Sequence, residues 1–422
     1  MRATLDVKRY ATCASALLIA VAAACVADAE STDWRWQGEI TAEARWFTES
    51  SFDPRQDRRD FALLGQIEGF RDFNNRRDRV ALKLRGRADD RDAERNLTDI
   101  TELYWRRRWR GGELLVGVNQ EFWGTTEALH LVDVINQTDF SGSPDGEDKL
   151  GQPMIRLSLS PEWGNWDFYV LPGFRERTFP GSRGRLRGPL PILADAARYE
   201  AGEQQDHVDV AIRFNHYIGP IEFAFSHFSG TSRLPLFTLA DGTPLEVAPG
   251  AVGALPPGIG LGIAPLYFLT DQTGFDGTLV SGGWLWKLEA IRGRDPRGRF
   301  NAATGGFEYT FAGVGGSGVD VGLIVEYQYD SRPTDLLITS NDDWVAGARF
   351  AFNDFSGSEF LILASTDAQT RAGIISLEAS RRFGSQWKGS LEARYFSAGD
   401  GTDALSLFSR EDYWQFSLTR FF

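Results

Sequence analysis

The sequence predicts an all-β chain: a transmembrane, antiparallel, up-and-down β-barrel of about 18 strands, with sixteen as the alternative. Three observations predict it. Apolar and polar residues alternate with period two in segment after segment, the pattern of a strand with one apolar and one polar face. The connections alternate between tight turns and long polar loops, as in a barrel whose two rims face different compartments. The polar faces carry full charges, which a dry core would not accept and a watery lumen does.

Composition sets limits. A net charge of −13 leaves no basic surplus to neutralise phosphates, so no nucleic-acid partner is expected. Aromatic residues at 13%, 45 glycines and a mean hydropathy of −0.29 fit a chain that is apolar only at every second position. At the start, Arg2, Lys8 and Arg9 form a positive stretch, Ala14 to Ala24 a short apolar run, and Ala27-Asp28-Ala29 an A-x-A cleavage site. Residues 1–29 therefore read as a signal peptide and 30–422 as the barrel. The apolar run is too short to anchor the chain in a bilayer. A lipoprotein signal acylated at Cys25 is disfavoured, because Ala22-Ala23-Ala24 lacks the usual Leu-type residue.

Both cysteines, Cys13 and Cys25, lie in that leader, so neither a disulfide nor a thiolate site is expected beyond it. His130, His207, His216 and His227 form no H-x-x-x-H or H-E-x-x-H pattern; no metal and no cofactor is expected. The longest later apolar stretch, Val247 to Thr270, is broken by Pro249, Pro256, Pro257 and Pro265 and cannot be a spanning helix. A chain without spanning helices crosses a membrane only as a closed barrel.

The strands follow in order. Trp34, Trp36, Ile40, Ala42, Ala44 and Trp46 mark the first; then come Phe61 to Gly69, Val80 to Leu84, Leu103 to Trp109, and Leu114 to Val118. After a gap the pattern resumes at Ile155 to Leu159, Trp166 to Val170, Val208 to Phe214, and Ile221 to Phe225. A weaker stretch covers Thr270 to Leu279, followed by Trp284 to Leu288, Phe307 to Phe311 and the clear ladder Val319 to Tyr327. Ala346 to Phe352, Phe360 to Ala364, Ile375 to Phe383 and Trp387 to Tyr395 lead to the last strand, where Trp414, Phe416, Leu418 and Phe422 share one parity and Gln415, Ser417 and Thr419 the other.

Asn74-Asn75, Gly111-Gly112, Gly219-Pro220, Gly282-Gly283, Gly315-Gly316 and Gly384-Ser385 supply the positive-φ chemistry of tight hairpins. Between them lie longer connections: 48–60, 88–96, 123–151, 173–206, 229–269, 330–342 and 397–411. An even strand count puts both chain ends on the short-turn side. The Gly/Pro-rich loop Asp241 to Pro265 reads as an external loop, with a pore lid or partner contact as its alternative.

A barrel of this size is too wide for side chains to fill, so an aqueous channel for small polar solutes is the default expectation. Lys83, Arg85 and Arg87 form one inward row, with Arg106 and Arg108 on the neighbouring strand. That row reads equally as a solute-attracting wall or as cross-strand partners of lumen carboxylates. The stretch Glu121 to Phe140 is too apolar for a free loop, and Leu129, Val132 and Ile135 recur at helical spacing. It is expected to fold into the pore, around residues 122–150, with Asp133, Asn136 and Asp139 toward solute.

The closing strand, ending on an aromatic, resembles that of bacterial outer-membrane barrels. The resemblance implies an outer-membrane lipid environment, with Phe422 as a signal read by the barrel-assembly machinery. The Trp123-Gly124-Thr125-Thr126-Glu127 and Val132-Asp133-Val134-Ile135-Asn136 stretches, with Gly283 to Glu289 and Glu378 to Arg382, resemble porin-like outer-membrane proteins of Gram-negative bacteria, including the alginate-export type. This implies an eighteen-strand channel and carries no substrate with it. Homo-oligomerisation stays open, since nothing fixes an interface. Two other classes stay open as well: a barrel enzyme of lipase or protease type, whose one tempting cluster is Ser226, His227 and Ser229, and a closed structural or adhesive barrel.

Overall fold

The computed structural model describes residues 34–239 and 262–422. The expected leader, and residues 241–261 of the Gly/Pro-rich loop, lie outside the described residues. The strands are β1 (Arg35–Phe47), β2 (Arg59–Phe73), β3 (Asp78–Asp89), β4 (Leu97–Trp109), β5 (Gly112–Asn119), β6 (Gln152–Leu159), β7 (Asn165–Pro172), β8 (Arg198–Tyr199), β9 (Val208–Ile218), β10 (Ile221–Thr231) and β11 (Leu236–Leu239). They continue as β12 (Ile263–Tyr267), β13 (Leu269–Ser281), β14 (Trp284–Asp295), β15 (Gly298–Phe311), β16 (Asp320–Asp330), β17 (Asp342–Ala351), β18 (Glu359–Asp367), β19 (Gly373–Phe383), β20 (Trp387–Ser397) and β21 (Tyr413–Phe421). Eighteen of them form one sheet in which each strand pairs antiparallel with the next, and β1 pairs with β21 to close it. The short β8, β11 and β12 form a separate three-stranded sheet in the long loops.

The closing seam shows why the alternation matters. Ala42, Ala44 and Trp46 pair with Leu418, Phe416 and Trp414, and Thr41, Glu43 and Arg45 pair with Thr419, Ser417 and Gln415. A slip of one residue would set each apolar group against a polar one. On the inner side the Thr41 and Thr419 hydroxyls lie 2.8 Å apart, and Arg45 donates to Gln415 at 2.6 and 2.8 Å. On the outer side the apolar residues stay uncovered: Trp46, Phe61, Leu103, Val210, Phe225, Trp286, Leu323, Trp344 and Phe416 are all exposed. A closed sheet with an apolar outside and a charged inside is a membrane-spanning barrel.

Every stretch expected as a strand is one, and two are longer than their alternation reveals. Residues 289–306 are rich in Gly, Ala and Arg, which hides their period. They complete β14 and β15, joined at Pro296-Arg297, where the Asp295 carboxylate accepts from the backbone N–H groups of Arg297 and Gly298 at 2.8 and 3.1 Å. One tight turn therefore sits on the long-loop rim. In β4 the register against β3 shifts at Lys83/Leu84, so that Asp99 and Glu102 face Arg85 and Lys83 while Ile100 and Leu103 are both exposed.

Phe416 is 57% exposed on the outer face, and its chain neighbour Ser417 faces the lumen. Phe416→Arg is expected to cost roughly 2–4 kcal/mol of folding into lipid, and Ser417→Arg close to nothing. Denaturant titration of refolding into vesicles measures both.

Candidate functional site

Between β5 and β6 the chain leaves the wall and crosses the lumen. Residues 120–151 contain no helix, despite the helical spacing of Leu129, Val132 and Ile135. The reason is that their N–H groups find other acceptors. Glu289 on β14 accepts from the backbone N–H groups of Thr125, Thr126 and Val132 and from the Thr126 hydroxyl, at 2.6 to 3.2 Å. Glu326 on β16 accepts from Glu127 and Ala128 at 2.7 and 3.2 Å. Gly124 permits the approach: its φ is +147°, and a Cβ there would stand 2.9 Å from His130 Nδ1 and 3.1 Å from Glu289 Oε1. Trp123, Val132, Val134 and Ile135 pack with Leu115, Met154, Tyr169, Phe228 and Ile291 of the inner wall. We call this segment the strap.

Ion pairs tie the strap to both sides of the barrel. Toward β3, Asp139 accepts from Arg87 at 2.9 and 3.1 Å and lies 3.4 Å from Arg85, which also pairs with Asp148 at 3.0 Å. Toward the opposite wall, Glu127 meets Arg349 at 2.6 Å and Lys287 at 3.4 Å, and Asp145 meets Arg394 at 2.7 Å. Glu121 pairs with Arg156 of β6 at 2.5 Å. His130 stands 3.2 Å from Glu147 and 3.8 Å from Glu289. Burial works against its charge, but the two carboxylates push its pKa up to about 10, so it is a cation at neutral pH.

The residues expected at the site divide accordingly. Arg87 is buried and fully engaged with Asp139, Ser141 and the Arg95 carbonyl. Lys83 is the freer member of the row, 3.8 Å from Glu68. Arg106 and Arg108 lie 3.5 and 2.6 Å from Glu113 near the short-turn rim. Asp133, Asn136 and Asp139, expected toward solute, turn their polar atoms into the protein instead. Asp133 takes Lys149 at 3.0 Å and the Trp123 N–H at 3.2 Å. Asn136 donates to the Asn119 and Leu150 carbonyls and accepts from the Glu121 N–H, which closes the base of the strap. Asp139 is 0% exposed. An isolated apolar-and-acidic stretch gives no sign of which acids face water; that depends on the arginines of distant strands.

Two cavities border the strap among the described residues. The larger, of 580 Å³, lies between the strap and the wall from β13 to β20; Glu147, Glu378 and Leu361 line it. The smaller, of 310 Å³, lies between the strap and β2 to β4, against Lys83 and Arg85. Glu147 and Lys149 border both. The least covered carboxylates here are Glu147 and Glu378, with side chains 56% and 50% exposed; that of Lys83 is 22% exposed. The anchoring role of Glu289 and Glu326 is not visible in the sequence, where they are two inward acids among many. Ser226, His227 and Ser229 do not converge: Ser226 is buried on the inner face, while His227 bonds Thr273 and Ser229 bonds Asp271 on the outer.

No protein-family model matches the chain, and no curated relative does. Solved structures that align with it include a variant of the Rhodopseudomonas blastica porin, at 12% identity over 92% of this chain and 100% of that one, with a TM-score of 0.43. Salmonella typhi OmpF in complex with daunomycin aligns at 10% identity over 92% and 97%, with a TM-score of 0.41. At that distance, function has to be read from the barrel's own geometry.

Two outcomes follow from the anchoring. Glu289→Ala removes four bonds to a carboxylate; roughly 2 kcal/mol or more of local stability should go with it. Amide exchange at Thr125, Thr126 and Val132 should then quicken about 30-fold, measured by hydrogen exchange of the folded barrel. Burial favours the neutral form of Asp139, but Arg87, Arg85 and the Thr178 hydroxyl outweigh it and hold the pKa down to about 2. A carboxyl held below its ordinary value of about 3.9 stabilises fully above that pH and loses the effect as pH falls through the folded value. Docking of the strap should therefore be steady above about pH 4 and weaken toward pH 2, by roughly 2–3 kcal/mol. Asp139→Asn should be weaker throughout and lack that pH dependence.

Proposed function

We propose that this chain is a porin-like channel of the bacterial outer membrane, through which polar and charged solutes diffuse passively past the strap. One observation carries the reading: an eighteen-strand closed barrel has a charged inner wall, and the strap that enters it leaves a 580 Å³ cavity along one side. A water-filled passage of that kind needs no energy-coupling part, and its selectivity lies in the charges that remain uncovered.

In this reading Arg85 and Arg87 hold the strap, Arg106 and Arg108 order the short-turn rim with Glu113, and Lys83 meets solute in the smaller cleft. Asp133, Asn136 and Asp139 set the shape of the constriction rather than touch what passes. Glu378, and Glu147, which stays more than half exposed beside its partner His130, face the larger passage and give it a mild preference for cations. The leader directs export, and Phe422, whose N–H and carbonyl pair with Gly38 at 3.0 and 2.9 Å, serves the assembly machinery.

A second reading, a barrel closed at the loop side that binds a partner, draws on one feature. Arg233, at the end of β10, donates twice to the Ile135 carbonyl of the strap, so the long-loop side is tied down onto it.

Single-channel recording of the refolded mature protein in a planar bilayer separates the two. Steady conductance is expected, with a reversal potential of cation sign under a salt gradient. The Glu147→Gln, Glu378→Gln double variant should move that potential toward zero or past it. A folded, inserted sample without conductance overturns the channel; an anion-sign potential in the wild type overturns the assignment of the two carboxylates.

A further inference from the structure

The larger cavity is lined by four arginines, and three of them are neutralised. Arg233 meets Asp209 at 2.7 Å, Arg332 meets Asp330 at 2.5 Å, and Arg394 meets Asp145 at 2.7 Å. Arg177 has no carboxylate partner among the described residues, although it is only 8% exposed. Among the described residues its one side-chain hydrogen bond runs from Nε to Gln137 Oε1 and is long, at 3.4 Å. Leaving a buried guanidinium in this state is costly, and burial lowers its pKa to about 10, against weak support from Tyr267 and Asp335.

The position is not accidental. The Arg177 N–H donates to the Tyr267 hydroxyl at 3.0 Å. On one side Arg175 is tied to Asp99 and the Gly151 carbonyl, at 2.6 and 2.7 Å; on the other the Thr178 hydroxyl bonds Asp139 at 2.6 Å. The backbone thus does the structural work, and the side chain is left over. Its guanidinium lies 5.5 Å from the centroid of the Phe140 ring, with Leu234, Phe268 and Ile338 lining the same cavity.

The geometry points to an anion subsite at Arg177 that takes a monocarboxylate carried on an apolar or aromatic body. The carboxylate would occupy the guanidinium's terminal N–H groups, which have no acceptor among the described residues, and the body would lie against Phe140 and its apolar neighbours. Arg177 is the one arginine of that cavity without a carboxylate partner among the described residues, so the subsite offers one uncompensated positive charge, which suits a monoanion better than a dianion. The subsite needs only the cavity and not conduction, so it stands or falls separately from the channel reading.

The test is calorimetric titration of the folded full-length barrel in detergent with phenylacetate, 2-phenylethanol and benzylamine. Phenylacetate should bind at least about tenfold more tightly than the neutral alcohol, and benzylamine should not bind. Arg177→Gln should weaken phenylacetate about tenfold or more and leave the alcohol unchanged. Equal binding of acid and alcohol, no binding of the acid, or unaltered binding in the variant would each overturn the subsite. Should the variant fail to fold, the acid-to-alcohol ratio on the wild type decides the matter alone.

Discussion

Everything in this molecule follows from one constraint: in a bilayer no strand edge can go unpaired, so the sheet has to close on itself. Closure forces the two faces of every strand into opposite solvents. It explains why Thr41 meets Thr419 and Ala44 meets Phe416 across the seam, and why the polar face tolerates Arg45, Arg87, Glu289 and Glu326. Closure at eighteen strands also creates a problem that smaller barrels lack. The interior is too wide for wall side chains to fill. The strap answers it, and the wall charges that closure turned inward become its anchors.

Most of the barrel was legible in the sequence because the period-two signal is local. Each strand writes its own faces, and tight turns such as Asn74-Asn75 and Gly282-Gly283 write their own geometry, with positive φ at Asn74, Asn75 and Gly282. The signal failed only where glycine and alanine blank one face, as over residues 289–306, or where the loops pair among themselves, as in β8, β11 and β12. That the segment after β5 is too apolar for a free surface loop was also readable. Its conformation was not. Leu129, Val132 and Ile135 have helical spacing, but a helix would keep the N–H groups of Thr126 and Val132 for its own carbonyls. Glu289, more than 150 residues away, claims them instead. No window along the chain contains both partners.

The same non-locality governs the site. Counting inward charges gives acids and bases in rough balance and leaves selectivity undecided. Pairing them changes the picture. Asp139 and Asp148 neutralise much of the basic row, Glu127 answers Lys287 and Arg349, and Asp145 answers Arg394. A charge held in such a pair at a few ångströms presents little field to a passing solute, because the two members cancel at distances beyond their separation. In the proposed channel the groups left to meet solute are Glu378, and Glu147 despite its His130 partner, along the larger passage, Lys83 in the smaller cleft, and Arg177 in its apolar corner. Strap and selectivity are therefore one design, since a change that loosened the strap would release Arg85, Arg87 and Arg349 into the lumen and shift the balance of uncovered charge toward the positive.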